Sequence, residues 1–321
     1  MPHLSNWPSS WTQAARRCTV ALGCGLVASI AWAQPPVLDA ALRERIDAFV
    51  ERERQASGIP GIALAIVQLG STPHLRGFGE DGRGKAISPD TPFPIGSLTK
   101  SFTALLVRQA IDAGQLDADA PVQRVLPWFR VADADASARI TLRHLLNQTS
   151  GFSRDDGIAP LLQGNTASID ELARGLGAVS LNRPVGERFE YSNLNFVLLG
   201  AVLQTVTGRS WQELVQDQVL HPLQMDHAHT DHAAARQAGM TALHRMWFGV
   251  PVAQQVTLLP GFAPTGSLVA SAGDMARYLQ MLLAGGMAPA GRVVSADGVA
   301  QMLSPASPPG RSQLLSADFQ F

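Results

Sequence analysis

The feature that most constrains the fold is an apolar run over residues 62–67, Ile-Ala-Leu-Ala-Ile-Val, set between two segments of helical period. Six residues without a polar interruption are too few for a useful helix and suit a buried strand. Gly70 and Ser71 turn the chain, and residues 74–78 read as the returning strand. Before this hairpin, residues 40–55 carry Leu42, Ile46, Phe49 and Val50 at helical spacing, and the run from Ser57 to Gly61 breaks that helix. After it, glycine and proline dominate residues 77–94, which read as loop. A second helix is predicted over 97–113, with Phe102, Leu105, Leu106 and Ile111 as its apolar residues and Gly114 as its stop.

From residue 112 to about residue 225 the pattern is mostly helical. A short helix is predicted over 141–147, an apolar helix over 194–206, and an amphipathic one over 210–220 stopped by Pro222. Residues 225–264 read as irregular. A last clear helix is expected over 274–283, capped by Ser271 or by Asp274 itself. No internal repeat or long low-complexity segment is present.

With 321 residues, 46% of them hydrophobic, the chain is large enough for a sizeable core. Its formal net charge of -1 gives no electrostatic footprint for nucleic acid, so the expected partner is a small molecule. The N-terminal segment reads as a targeting sequence. Arg16 and Arg17 precede an apolar stretch over 20–30, and Ala31-Trp32-Ala33 forms a small-x-small cleavage pattern. Residues 1–33 are therefore expected to be a signal peptide, giving an exported, periplasmic or secreted protein that meets the membrane only transiently. The alternative is a segment that stays attached as an anchor. Both cysteines, Cys18 and Cys24, fall inside it, so no disulfide or cysteine metal site is expected in residues 34–321.

Four residues carry the chemistry. Ser97 and Lys100 stand three apart at the head of the predicted helix, so the amine and the hydroxyl share one face. The helix N-terminus favours a developing alkoxide, and a desolvated lysine can lose enough basicity to accept the serine proton. Tyr191-Ser192-Asn193 adds a phenol able to shuttle a proton and an amide able to bind both an amine and a substrate carbonyl. The bland alternatives are a capping serine with a surface lysine, and a loop tyrosine with Asn193 as a helix cap. The chain holds only two lysines and two tyrosines, so both spacings arising by accident is a poor account.

The segment from Thr91 through Ser97-Leu98-Thr99-Lys100 resembles the nucleophile region of the class C β-lactamase, DD-peptidase and esterase superfamily of penicillin-recognising serine hydrolases. Ile140-Thr141-Leu142-Arg143-His144-Leu145-Leu146 with Thr149-Ser150-Gly151-Phe152 is similar to its helical signature. Glu190-Tyr191-Ser192-Asn193 resembles its Tyr-x-Asn loop, and Ala263-Pro264-Thr265-Gly266-Ser267-Leu268 with Asp274-Met275-Ala276 its later return to the sheet. The resemblance implies an α+β fold, an antiparallel sheet flanked by helices, with a helical insertion over about 112–225 of a single hydrolase domain spanning 34–321 whose last strands are expected to be incomplete. It implies acylation of Ser97, proton handling by Lys100 and Tyr191, substrate orientation by Asn193, and half an oxyanion hole from the Ser97 N–H. A small-molecule or peptidoglycan-like substrate and no cofactor or metal follow from it. The family's third element, Lys/His-x-Gly on a late strand, has no match after Leu303. Its absence predicts an unpaired sheet edge, low stability and impaired activity.

Other features carry less. Gly77-Phe78-Gly79-Glu80-Asp81-Gly82 spells a dinucleotide-binding pattern but lacks the helix that should follow it. His227, His229 and His232 could form a metal cluster, but they sit in a segment read as irregular with no obvious supporting partners, and His144 reads as a packing or hydrogen-bonding residue. Trp247-Phe248-Gly249-Val250-Pro251 resembles a loop of some members of the superfamily, and is expected to pack as a loop rather than line a substrate entrance or contact lipid. Two functions stand side by side: a serine hydrolase acting on a β-lactam, a D-amino-acid peptide or an ester, and a non-catalytic binding or regulatory module that keeps the fold.

Overall fold

The computed structural model describes residues 38–162, 164, 166–254 and 259–306. The expected signal segment 1–33 and the end of the chain, where the late strand was sought, lie outside the described residues. Contacts divide the chain after Asp39, and every element below belongs to the unit beginning at Ala40.

Helix α1 (Ala40–Ala56) leads into the antiparallel hairpin β1 (Gly61–Ile66) and β2 (His74–Gly79), in a register that pairs Gly61 with Gly79 and Ile66 with His74. The hairpin is present, but β1 is half-buried rather than buried along its whole length. Among the described residues its sheet has only these two strands, packed on α1 and on a later helix. The G-x-G-x-x-G run occupies the end of β2 and the turn after it, and no helix opens there.

The core lies on the other side of the chain. A two-residue strand β3 (Phe93–Pro94) runs through a 3₁₀ turn, Gly96–Leu98, into α2 (Thr99–Asp112). Phe102, Leu105 and Leu106 of α2 are fully buried, following the helical period that marked them in the sequence, with Val107 buried beside them and Ile111 half-buried. Short helices α3 (Ala134–Arg139), α4 (Leu142–Leu146), α5 (Arg154–Leu162) and α6 (Ile169–Arg174) wrap this side. Their caps are legible in the sequence: Asp133, Thr141 and Ser168 each accept from a backbone N–H two or three residues inside the helix. Helix α7 (Asn193–Thr207) is apolar on all sides and accordingly buried on all sides over its first three turns.

Helix α8 (Trp211–Val215) passes into a π-helical turn, Gln216–Leu220. Trp211 is fully buried, and its indole N–H donates to Thr103 of α2 at 2.9 Å. The Thr103 hydroxyl in turn donates to the Pro264 carbonyl at 2.8 Å, so one polar chain links α2, α8 and the later return segment.

Among its described residues, the region read as irregular, 225–264, is largely regular. It holds α9 (His232–Gln237), capped by Asp231, and a second hairpin, β4 (Leu243–Trp247) with β5 (Val250–Gln254). Pro251 inside β5 and a Phe-Gly turn hid that hairpin, because neither is a usual hairpin signal. The return segment forms the one-turn helix α10 (Ala263–Gly266) and strand β6 (Val269–Ala270), which pairs with β3. Helix α11 (Ala272–Leu283) follows, capped by Ser271 with Asp274 closing the box, so both candidate caps act together. The short pair β7 (Met287–Ala288) and β8 (Gly291–Arg292) precedes α12 (Ala296–Leu303), which packs on α2. The fold is α+β.

Candidate active site

Ser97 sits in the 3₁₀ turn at the mouth of α2 rather than in the helix proper. Gly96, at φ +53°, makes the bend that presents it, a conformation that costs other residues about 1 kcal/mol or more. The turn is tied to the return segment at two points. The Ile95 N–H donates to the Leu268 carbonyl at 3.0 Å, and the Leu268 N–H donates to the Thr99 hydroxyl at 3.1 Å.

Lys100 follows three residues on, with only 7% of its surface exposed. Its Nζ lies 3.2 Å from Ser97 Oγ, 2.9 Å from Asn193 Oδ1 and 2.7 Å from the Thr265 carbonyl oxygen. Burial away from water pulls its pKa from 10.5 to about 7. Both of its short contacts are to neutral acceptors, which do not restore the charge as a carboxylate would. A neutral amine has two N–H groups and one lone pair. With the two hydrogens given to Asn193 and Thr265, the lone pair is left for the serine hydroxyl.

Tyr191 closes the other side, its phenol oxygen 2.7 Å from Ser97 Oγ. Burial pushes its pKa upward, while the hydrogen bond with Ser97 and the nearby Arg154 charge pull the other way. The tyrosine is clamped by its neighbours: the Glu190 N–H donates to the Gln148 carbonyl at 2.8 Å, and the Ser192 N–H to Gln148 Oε1 at 2.9 Å. Lys100 Nζ also stands 4.9 Å from the centre of the Tyr191 ring. Asn193 is the first residue of α7, not its cap; the cap position is Ser192. Its Nδ2 donates to the Gly157 carbonyl at 2.9 Å, which fixes the amide with its oxygen toward the lysine. A Cβ on Gly157 would stand 2.7 Å from the Asn193 nitrogen, so α5 approaches α7 this closely only with glycine there.

The four residues marked in the sequence therefore meet in one cluster. Three contributors were missed: the Thr265 carbonyl, Gln148 and Gly157. Thr265 lay in a segment already marked by its resemblance, but a backbone carbonyl leaves no trace in residue type. The histidines lie apart from one another in function. His144 Nδ1 takes part in the cap of α4, accepting the Thr141 N–H at 3.1 Å. His232 Nε2 contacts the Ser267 carbonyl at 2.9 Å, and His227 stands 3.8 Å from Asp90. Among the described residues, no group of three or more His, Cys, Asp or Glu side chains is placed to hold a metal.

Residues 46–320 match the family described as Beta-lactamase. The chain belongs to the beta-lactamase family. This member is 34% identical over 269 residues to Penicillin-binding protein 4 of Amycolatopsis lactamdurans, covering 81% of this chain and 68% of the relative. Its fold matches the octameric penicillin-binding protein homologue from Pyrococcus abyssi with a TM-score of 0.71 and 25% identity, over 83% of this chain and 61% of the other. D-alanine carboxypeptidase AmpC from Burkholderia cenocepacia matches with a TM-score of 0.64 and 25% identity, over 81% of this chain and 68% of the other. The beta-lactamase family member described here thus spans about two thirds of the length of these proteins. Its family is one of serine hydrolases.

Proposed function

We propose that this chain is a serine hydrolase that works through an acyl-enzyme on Ser97. The observation that carries the reading is the placement of one hydroxyl between a phenol at 2.7 Å and an amine at 3.2 Å whose pKa has fallen to about 7. At neutral pH a large share of Lys100 is then unprotonated and able to act as base, while Tyr191 keeps its proton.

In the first step the Ser97 proton passes to Lys100 Nζ as Ser97 Oγ bonds to the substrate carbonyl carbon. The bond to the leaving group breaks, and that group takes the phenol proton of Tyr191. In the second step water gives a proton to the Tyr191 phenolate and its oxygen to the acyl carbon. The ester bond breaks, Lys100 returns a proton to Ser97, and the carboxylic acid departs. The Ser97 N–H supplies half of the oxyanion hole and Asn193 orients the acyl group. The substrates in view are a β-lactam, a D-amino-acid peptide such as a peptidoglycan stem, or a carboxylic ester. Export directed by residues 1–33 would bring the enzyme to such substrates, and the helical insertion over 112–225 would form one wall of the site.

Incubation with a fluorescent penicillin and with a fluorophosphonate probe tests this. Labelling of the wild type that vanishes in Ser97→Ala supports the enzyme. A folded protein that neither probe labels supports the binding or regulatory module instead. Ester against cephalosporin turnover then ranks the substrate classes.

A further inference from the structure

The hairpin β4–β5 does not pack as a loop. Its alternation puts Leu243, Arg245 and Trp247 on one face with their partners Gln254, Val252 and Val250, and all six are exposed. The other face bears His244 and Pro251, the half-buried residues of the two strands. At the apex Phe248 is 94% exposed, with Trp247 at 56% and Val250 at 61%. The turn is unusual as well as apolar. Phe248 has φ +49° and Gly249 φ +78°, the pair of left-handed residues of a type I′ turn. Asparagine or glycine is favoured at the first of these positions, and a phenylalanine there is strained. The fold thus holds a large ring at the extreme of a projection, in a costly conformation, with an edge-on contact to the exposed Trp247 ring at 5.6 Å and little burial in return.

The charge along its own segment is one-sided. None of the chain's 26 carboxylates falls between His232 and Gly273, while Arg245 lies beside the tip with its guanidinium 5.8 Å from the Trp247 ring centre. We propose that this hairpin is a membrane-docking element that inserts Phe248 and Trp247 into the interface of an anionic lipid surface. Trp247 sits where an amphipathic ring prefers the headgroup boundary. Arg245 lies roughly 10 Å behind the apex at about 3.3 Å per residue, level with phosphate groups once the ring has entered the acyl boundary. A narrow convex tip suits a deformable surface, whereas a second copy of the chain would have to offer a pocket to receive it. The inference is independent of the chemistry assigned to Ser97.

Co-sedimentation of the full chain with phosphatidylcholine vesicles, with and without phosphatidylglycerol, tests the proposal. Phe248→Asn combined with Trp247→Thr removes both rings and gives the turn a residue it favours, so the fold is not put at risk. The wild type is expected to pellet with the anionic vesicles, and the double variant to bind at least tenfold more weakly. Arg245→Gln should reduce the preference for anionic over neutral vesicles by a fewfold. Brominated lipids separate the hairpin from the N-terminal apolar segment: Trp247→Phe, which still binds, must lose part of the tryptophan quenching seen in the wild type. Equal binding of wild type and double variant, or unchanged quenching in Trp247→Phe, overturns the proposal. So does a wild type that stays in the supernatant, or a dimer in solution that the double variant abolishes.

Discussion

Lys100 donates to the main-chain carbonyl of Thr265 at 2.7 Å, across 165 residues of sequence. The contact joins the nucleophile helix to the return segment, and with the Asn193 amide it gives a buried amine two neutral acceptors. Neutral partners are what let burial decide the lysine's basicity. A carboxylate in either place would have held the charge.

Asn193→Asp introduces that carboxylate. A charge at the present 2.9 Å separation is expected to raise the lysine pKa by about 1 to 3 units. The unprotonated share at pH 7 then falls, and the rate of Ser97 labelling by a fluorophosphonate drops roughly 5- to 500-fold. The midpoint of the pH–rate curve moves upward by the same number of units. A variant that merely loosened the site would be slow at every pH with its midpoint unmoved.

Gly157→Ala tests the packing behind the amide. Its Cβ would meet the Asn193 nitrogen at 2.7 Å and the Ser192 hydroxyl at 2.8 Å, so α5 must withdraw from the start of α7. Overpacking of this kind costs about 1–3 kcal/mol. Denaturant unfolding should show that loss, together with slower Ser97 labelling because the Gly157 carbonyl no longer holds Asn193.

The depressed lysine pKa also ties stability to pH. Between about 7 and 10.5 the unfolded chain keeps the Lys100 proton and the folded chain has released it. The unfolded state therefore binds more protons there, and stability from this group rises as pH climbs through that window. The penalty is complete below about 7 and gone above 10.5, with an upper bound of about 5 kcal/mol. Lys100→Met removes the titration. The unfolding free energy of the wild type relative to that variant should increase from pH 6 to pH 9.5, by chemical denaturation at each pH.

The sequence made the chemistry more legible than the architecture around it. Ser97, Lys100, Tyr191 and Asn193 announce themselves because each role needs one kind of side chain at a fixed spacing. The helices α2 and α7 were equally plain, α2 because its apolar residues recur with the helical period and α7 because an apolar run of that length suits a buried helix. Gln148 was invisible: it clamps the tyrosine loop through its own carbonyl and its side chain, at φ +59°, and no pattern of residue types records that. Strands β3 and β6 are two residues long and exist by virtue of each other, so neither carries a period to read. The β4–β5 hairpin failed for a different reason, because Pro251 and the Phe248-Gly249 turn are not usual hairpin signals.

The central claim is that Lys100, uncharged, takes the proton of Ser97. It is tested most directly by the pH dependence of Ser97 acylation, followed by intact-protein mass spectrometry with a fluorophosphonate whose own reactivity is flat over pH 5 to 10. The account predicts a rate that rises with pH to a plateau through a midpoint near 7, and a curve in Lys100→Ala that is far lower and lacks this midpoint. A midpoint near 10.5, the ordinary lysine value, or a Lys100→Ala curve that matches the wild type would contradict it.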